Sequence, residues 1–317
     1  MHDAYNPSKP YKKEIIDLIK ETWETPFVSV REGIYPIIER KISCLEIDHT
    51  DGIGTKGFYH WREGTLKNAV IDALAMNLND LAISGARAFK LQNHITVPVE
   101  DERIIEIIKA VVEESKKRNI AVTGGENSFH DNSDSMDISM TVSGFVYEPR
   151  KNEFKLEDIL IGISSGGIHS NGFTLVRKVF GDLSRGEFVE PTIVYSDAIL
   201  GLLGKFEIHG MEHITGGAFS KLTRYSENKN ILIFRDHELK PQDIFCDIYR
   251  KGISDKQMYE TLNCGIGFVL SVKPENACGI IHELDECGLV SGKIGKVTHG
   301  NGNVRIESMF SDNEVLF

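Results

Sequence analysis

Between Leu66 and Ile83 the apolar residues Leu66, Val70, Ala73, Leu74, Leu78 and Leu81 recur at helical spacing. The spacing predicts one helix with one buried stripe. Asp72, Asn79 and Asp80 lie seven and eight positions apart and share another face, with Asn77 beside Asp80. That face reads equally well as solvated surface or as the wall of a site. Ile104, Ile105, Ile108, Val111 and Val112 predict a second helix over Asp101–Arg118. It opens on acidic residues and closes on Lys116, Lys117 and Arg118, as a helix dipole favours.

Shorter apolar runs predict strands at Ile42–Ile47, Ala88–Val97, Ile120–Thr123, Ile138–Tyr147, Ile159–Ile163, Asn230–Arg235 and up to Val272 from Cys264. Further helices are expected at Glu14–Trp23, Phe173–Phe180, Thr192–Leu203, Asp255–Leu262 and Glu275–Cys287. The last strands fall within Gly295–Glu307, with a hairpin turn at Gly300-Asn301-Gly302-Asn303. Met1–Lys12 reads as an extended arm. The polar stretch Pro149–Glu157 marks a boundary between two domains, 1–150 and 151–317. Strands alternate with helices in both halves, which predicts two α/β or α+β domains.

Composition narrows the partners. A formal net charge of −11 argues against a nucleic-acid surface, though not against a local basic pocket. No apolar run approaches the ~20 residues of a membrane span. The polar, charged beginning gives no reason to expect a signal peptide. The 5 cysteines form no C-x-x-C pair, which suits reduced thiols in the cytoplasm and disfavours a zinc site.

Candidate chemistry begins at Thr50-Asp51-Gly52-Ile53-Gly54-Thr55-Lys56, where a strand runs into two glycines flanked by a carboxylate and an ammonium. Alone this is an ordinary turn with two solvated charges. Similar punctuation recurs, however. Gly124-Gly125-Glu126 follows a strand, and His213-Ile214-Thr215-Gly216-Gly217 precedes a helical segment. Ser164–Gly172 joins a strand to a helix N-terminus through small polar residues, the usual setting for an anion. Asp51, Asp80 and Glu126 form a candidate set of hard oxygen ligands for magnesium bridging to phosphates. Lys56 is then expected to meet a phosphate. The sequence has no Walker P-loop and no HRD or DFG motif of a protein kinase. These features predict ATP-dependent chemistry on a phosphorylated small molecule.

The segments DGIGTK (51–56), NLNDLAISGA (77–86), VTGGE (122–126), DILIGISSGGIHSNGFTLVRK (158–178), HITGGAF (213–219) and LNCGIGFVL (262–270) resemble the aminoimidazole ribonucleotide synthetase family, also called phosphoribosylformylglycinamidine cyclo-ligases. They stand in the family's order and cover most of the chain. The first three are similar to a wider superfamily. It includes formylglycinamidine ribonucleotide synthetase, selenophosphate synthetase, thiamine-phosphate kinase and a hydrogenase-maturation protein. The resemblance implies two domains, each a mixed sheet flanked by helices, with the N-terminal domains pairing across a homodimer into a barrel-like core. It implies ATP-dependent closure of formylglycinamidine ribonucleotide to the imidazole, with release of ADP and phosphate. On this reading Lys56, Asp51 and Asp80 are catalytic, and Gly52, Gly54, Thr55, Lys56, Asn79, Gly124 and Gly125 hold ATP. Ser165, Gly166, His169, Ser170, Asn171, His213, Thr215 and Gly216 hold the phosphoribosyl substrate, and Asp51, Asp80 and Glu126 hold Mg2+.

The sequence departs from the family's pattern at three places: Tyr5–Pro10, Leu91–His94 and Asn127–Asp131. These leave room for another ATP-dependent enzyme of the superfamily acting on a different acceptor, or for a nucleotide-binding partner subunit. The retained Asp51, Lys56, Asp80 and Glu126 speak against the last.

Overall fold

The structure, a computed structural model, describes residues 11–317. The arm expected at Met1–Lys12 lies, up to residue 10, outside them, as does the departure at Tyr5–Pro10. The described strands are β1 (Val28–Arg31), β2 (Ile37–Arg40), β3 (Leu45–Gly52), β4 (Arg87–Val97), β5 (Ala121–Phe129), β6 (Asp137–Val146), β7 (Ile159–Ser164), β8 (Ile208–His213), β9 (Lys229–Ile233), β10 (Ile266–Val272), β11 (Ser291–His299), β12 (Val304–Glu307) and β13 (Glu314–Leu316). The helices are α1 (Lys12–Lys20), α2 (Gly57–Glu63), α3 (Leu66–Ile83), α4 (Arg103–Lys117), α5 (Phe173–Phe180), α6 (Ser196–Leu203), α7 (Asp243–Arg250), α8 (Asp255–Thr261) and α9 (Ala277–Glu286).

Two mixed sheets carry the fold. The first has the order β3-β6-β4-β5, antiparallel except for the parallel pair β4–β5. Its inward residues, among them Leu91, Ile95, Val122, Ile138, Met140 and Val142, pack on the apolar stripes of α3 and α4. The second runs β13-β12-β9-β11-β7-β10-β8. Helices α6 and α9 cover one of its faces, with Ile199, Leu202, Ile280 and Leu284 on Ile161, Ile163 and Leu270. The other face carries Phe173, Val176, Ile244, Phe245 and Met258 from α5, α7 and α8. A two-stranded antiparallel ribbon, β1–β2, forms a third pairing.

Helix α3 matches its predicted bounds, and its predicted stripe is buried. Its other face is not solvated. Asp72, Asn77 and Asn79 are buried as well, because α6 and β8 of the second sheet pack there. A helix enclosed on all sides sits at the centre of the molecule, and it is the element both halves share.

Four other expectations are corrected. Strand β3 continues through Asp51, so that residue lies in a strand and not in the turn. Gly124-Gly125-Glu126 is not a turn but the middle of the continuous strand β5. There the register slips between Leu91 and Asn93 of β4, and a Cβ on Gly125 would stand 2.5 Å from Asn93 Oδ1. Thr192–Tyr195 lie outside any helix, Tyr195 being the N-cap, and helix α6 begins only at Ser196. Gly300–Asn303 is not a hairpin turn, because β9 lies between β11 and β12 and pairs with both. Strands β1, β2, β8 and β13 and helices α2 and α7 were not expected.

Candidate functional site

The end of β3, the middle of α3, the loop 164–172 and the turn after β8 converge where the two halves meet. Asp80 is the hub. His213 Nδ1 lies 2.8 Å from Asp80 Oδ1, and His49 Nε2 lies 3.4 Å from Oδ2. Burial alone would raise the Asp80 carboxyl, but the two imidazole hydrogen bonds outweigh it and hold the group well below the ordinary range. His49 Nδ1 contacts Asn77 Oδ1 at 3.0 Å, and Asn77 donates to the carbonyl oxygen of Asp51 at 3.1 Å. The hydrogen bond to Asp80 raises the pKa of His49 above the usual imidazole value, against burial. Asp51 is half-buried. Desolvation pushes its carboxyl up and the Asp80 charge adds to that, while the Gly52 N–H opposes both. The Asp80 charge is close enough to help lift the Asp51 carboxyl, and two such carboxylates favour a cation between them.

Several residues expected at the ligand are instead part of the frame. His213 is fully buried. Its Nδ1–H donates to Asp80 and its Nε2 accepts from Asn79 Nδ2 at 3.3 Å, so neither nitrogen is left for a substrate. Asn79 also donates to Ile193 O at 2.9 Å and accepts from Tyr195 N at 2.7 Å. It fastens the segment 192–195 that leads into α6. Thr215 is buried and accepts from Lys221 Nζ at 2.8 Å.

Lys56 does not face solvent. Its ammonium is fully buried, 2.8 Å from Asp72 Oδ2, and also donates to the Glu190 carbonyl. Burial lowers its pKa, opposed by the Asp72 charge. Asp72 accepts in addition from His60 Nε2 at 2.7 Å, Thr192 N at 2.7 Å and Thr192 Oγ1 at 2.6 Å. Desolvation of Asp72 is overcome by the Lys56 charge and these donors, and its pKa lies well below the ordinary carboxylate range.

Glu126 does not join Asp51 and Asp80. Sheet register puts Gly52, Ser139, His94 and Glu126 in one row across four strands. Glu126 is therefore about 14 Å from the end of β3 at the ordinary strand spacing. It shares a face with Gly52, and Asp51 points to the other face, toward α3. Among the described residues no group of three or more His, Cys, Asp or Glu side chains is arranged to hold a metal ion. Gly124 and Gly125 go with Glu126 on the edge strand, away from the hub.

The loop 164–172 is built from within. Asn263 accepts from Ser165 Oγ and Gly265 N at 2.9 Å each and donates to Gly167 O at 2.8 Å and Ile168 O at 3.1 Å. Ser165 is thereby buried and committed. His169 points inward, with φ +62. Its Nε2 accepts from Gly166 N at 3.2 Å, and its buried Nδ1 has no hydrogen-bond partner. Desolvation drives its pKa down to about 3, with the charges of His213 and Lys56 acting in the same direction. The exposed parts of the region are Gly54, Gly166, Gly216 and Gly217, with Thr55, Ser170 and Asn171 partly open. A Cβ at Gly54 or Gly167 would meet nothing within 4 Å, and one at Gly216 would stand 3.3 Å from Asn171 Oδ1. Thr55 Oγ1 lies 3.2 Å from Thr174 Oγ1, which brings the loop after β3 against the start of α5.

Sequence reasoning missed His49, Thr192, Lys221 and Asn263. Lys221 Nζ bonds His213 O at 2.7 Å and Glu212 Oε1 at 2.8 Å. Asn263 stands in the motif LNCGIGFVL, where its neighbouring glycines were the available signal. Nothing in the spacing marked the others.

Comparison with known proteins agrees with this architecture. Residues 45–146 match the family of AIR synthase related proteins, N-terminal domain, and residues 155–307 match the corresponding C-terminal domain. The chain is 35% identical over 302 residues to a phosphoribosylformylglycinamidine cyclo-ligase of Saccharolobus solfataricus, covering 92% of this chain and 90% of that one. It is 36% identical to the cyclo-ligase of Thermococcus gammatolerans, over 82% of this chain and 80% of that one. The fold is shared with a hydrogenase maturation protein HypE solved in complex with ATP, at a TM-score of 0.68, 12% identity and 99% and 95% coverage of the two chains.

Proposed function

Because the chain belongs to the phosphoribosylformylglycinamidine cyclo-ligase family, we propose that it closes the imidazole ring of aminoimidazole ribonucleotide from formylglycinamidine ribonucleotide at the expense of ATP. The observation that carries the reading is the convergence of Asp51, Asp80, the loop 164–172 and the turn 214–217 at one junction. The formyl amide oxygen takes the γ-phosphoryl group and ADP departs. An amidine nitrogen adds to the activated carbon, the carbon–oxygen bond breaks to release phosphate, and the nitrogen gives up its proton.

The nucleotide lies on the 1–150 side, at the exit of β3. Gly52, Gly54 and Thr55 line its approach, where the absence of a side chain at Gly54 leaves the backbone open. Magnesium fits the donor set: it is commonly held by one or two carboxylates together with phosphates, and Asp51 and Asp80 are two carboxylates close enough to feel each other's charge. When bound it would neutralise charge on the transferring phosphates. Glu126 lies outside that pair. The phosphoribosyl substrate lies on the 151–317 side, against Gly166, Ser170, Asn171 and Gly216. Lys56, Asn79, His169 and His213 hold these surfaces in place from behind. The enzyme works as a homodimer in the cytoplasm. In support, one face of the β3-β6-β4-β5 sheet carries polar residues, including Asp48, Thr50, Gln92 and His94, and the helices α3 and α4 pack on the other. Among the described residues no helix is long and apolar enough to cross a membrane.

The test is magnesium-dependent release of ADP, measured with and without formylglycinamidine ribonucleotide and across a small panel of acceptors. Release that depends on that ribonucleotide is expected. Release stimulated by another acceptor instead would overturn the assignment.

A further inference from the structure

Ser170 is partly open to the site and its hydroxyl lies 2.9 Å from Thr192 Oγ1. Thr192 Oγ1 in turn lies 2.6 Å from Asp72 Oδ1, and Thr192 N reaches the same oxygen at 2.7 Å. Asp72 is ionised, since Lys56 and His60 also donate to it. An ionised carboxylate only accepts, so the Thr192 hydroxyl gives it its one proton. The Thr192 oxygen can then bond Ser170 only by accepting from it. Ser170 has thereby spent its own proton, and only lone pairs remain for anything that binds in front of it. A chain of hydrogen bonds rooted in a buried anion thus fixes the polarity of a hydroxyl at the mouth of the site.

We infer that Ser170 determines specificity as an obligate acceptor, with Thr192 and Asp72 as its positioning residues. It recognises a hydrogen-bond donor on the substrate, an amidine or amide N–H or a ribose hydroxyl, and it turns away a phosphate oxygen. This deepens the proposed function and rests on its placement of the substrate at the loop 164–172. It also divides that loop. Phosphate recognition falls to backbone N–H groups and to Asn171, and donor recognition falls to Ser170.

The experiment compares the full-length enzyme with Ser170→Ala, Thr192→Val and Thr192→Ser. Each is assayed for the KM of formylglycinamidine ribonucleotide and for inhibition by inorganic phosphate and by ribose 5-phosphate. A neutral hydrogen bond lost from the complex corresponds to about a threefold to tenfold effect. Ser170→Ala is expected to raise the substrate KM by about that factor and to leave phosphate inhibition unchanged. Thr192→Val frees the Ser170 proton, so the KM should rise while phosphate inhibition strengthens. Thr192→Ser keeps the relay and should restore most of the loss, which a merely structural role of Thr192 would not require. Ribose 5-phosphate separates the donors: weaker inhibition of Ser170→Ala assigns the ribose hydroxyl, and unchanged inhibition assigns the amidine or amide. Phosphate inhibition weakened by Ser170→Ala as much as substrate binding would overturn the inference. A parent enzyme that does not turn over the ribonucleotide would instead remove the proposed function.

Discussion

Lys56 Nζ lies 2.8 Å from Asp72 Oδ2, and neither side chain is exposed to water. The pair joins the turn after β3 to α3. Through Thr192 and the Glu190 carbonyl it also joins them to the segment that precedes α6. An ammonium this enclosed clamps the two halves together.

Breaking the clamp from one side should therefore be a stability defect. Lys56→Met leaves Asp72 charged and buried, and Asp72→Leu does the same to Lys56. Each should destabilise by about 3–5 kcal/mol, whereas the double variant should cost clearly less than the sum. Urea unfolding of the three proteins measures this. Lys56→Arg with unaltered stability and a specific loss of ATP affinity would return Lys56 to the phosphates.

The carboxylates divide in the same way. Asp51→Asn keeps the shape of the side chain and removes one of two anionic groups at the junction. Turnover should fall strongly and more magnesium should be needed for half-maximal rate. Glu126→Gln, on the opposite face of the sheet, should leave the magnesium requirement where it is. The two effects on kcat/KM should add, as they do for distant sites. A clear departure from additivity would place Glu126 back with Asp51.

How far the sequence reaches is visible in α3. Its bounds and its apolar stripe were legible because period and length are local properties. What covers its polar face was not. Asp80 meets a histidine 133 residues away and Asp72 meets a threonine 120 away, and spacing along the chain carries no trace of such pairs. Strand β8 escaped for a related reason. All of Ile208–His213 is buried, yet His209 and Glu212 make it look polar. Their partners Asp158 and Lys221 make burial tolerable, and those partners lie elsewhere. The glycines at 124–125 misled because a strand slip and a turn ask for the same residue.

Assembly is open to a direct measurement. The polar face of the first sheet and the exposed Ile34 and Tyr35 beside strand β2 would meet a second copy in the proposed homodimer. Light scattering at micromolar concentration should give twice the chain mass. A fully active monomer would sink that part of the proposal.

His169 links the loop to acid stability. Its Nε2 accepts from Gly166 N–H, so the imidazole proton sits on Nδ1, which is buried without a partner. Burial takes its pKa from 6.5 down to about 3. Between those values the unfolded chain binds a proton that the folded chain refuses, so stability falls as pH falls. The slope for one proton reaches about 1.4 kcal/mol per pH unit. Asp72 and Asp80, whose folded pKa values are depressed, add their loss only below the ordinary carboxylate range near 3.8. His169→Asn removes the titrating group while suiting the left-handed backbone, which asparagine tolerates. Unfolding free energies of the parent should drop between pH 6.5 and 4, and those of the variant should drop less. His49 titrates with the opposite sign, but it is present in both proteins and cancels in the difference. Parallel profiles over that range would mean that His169 takes up a proton in the folded enzyme, and that the loop opens to admit it.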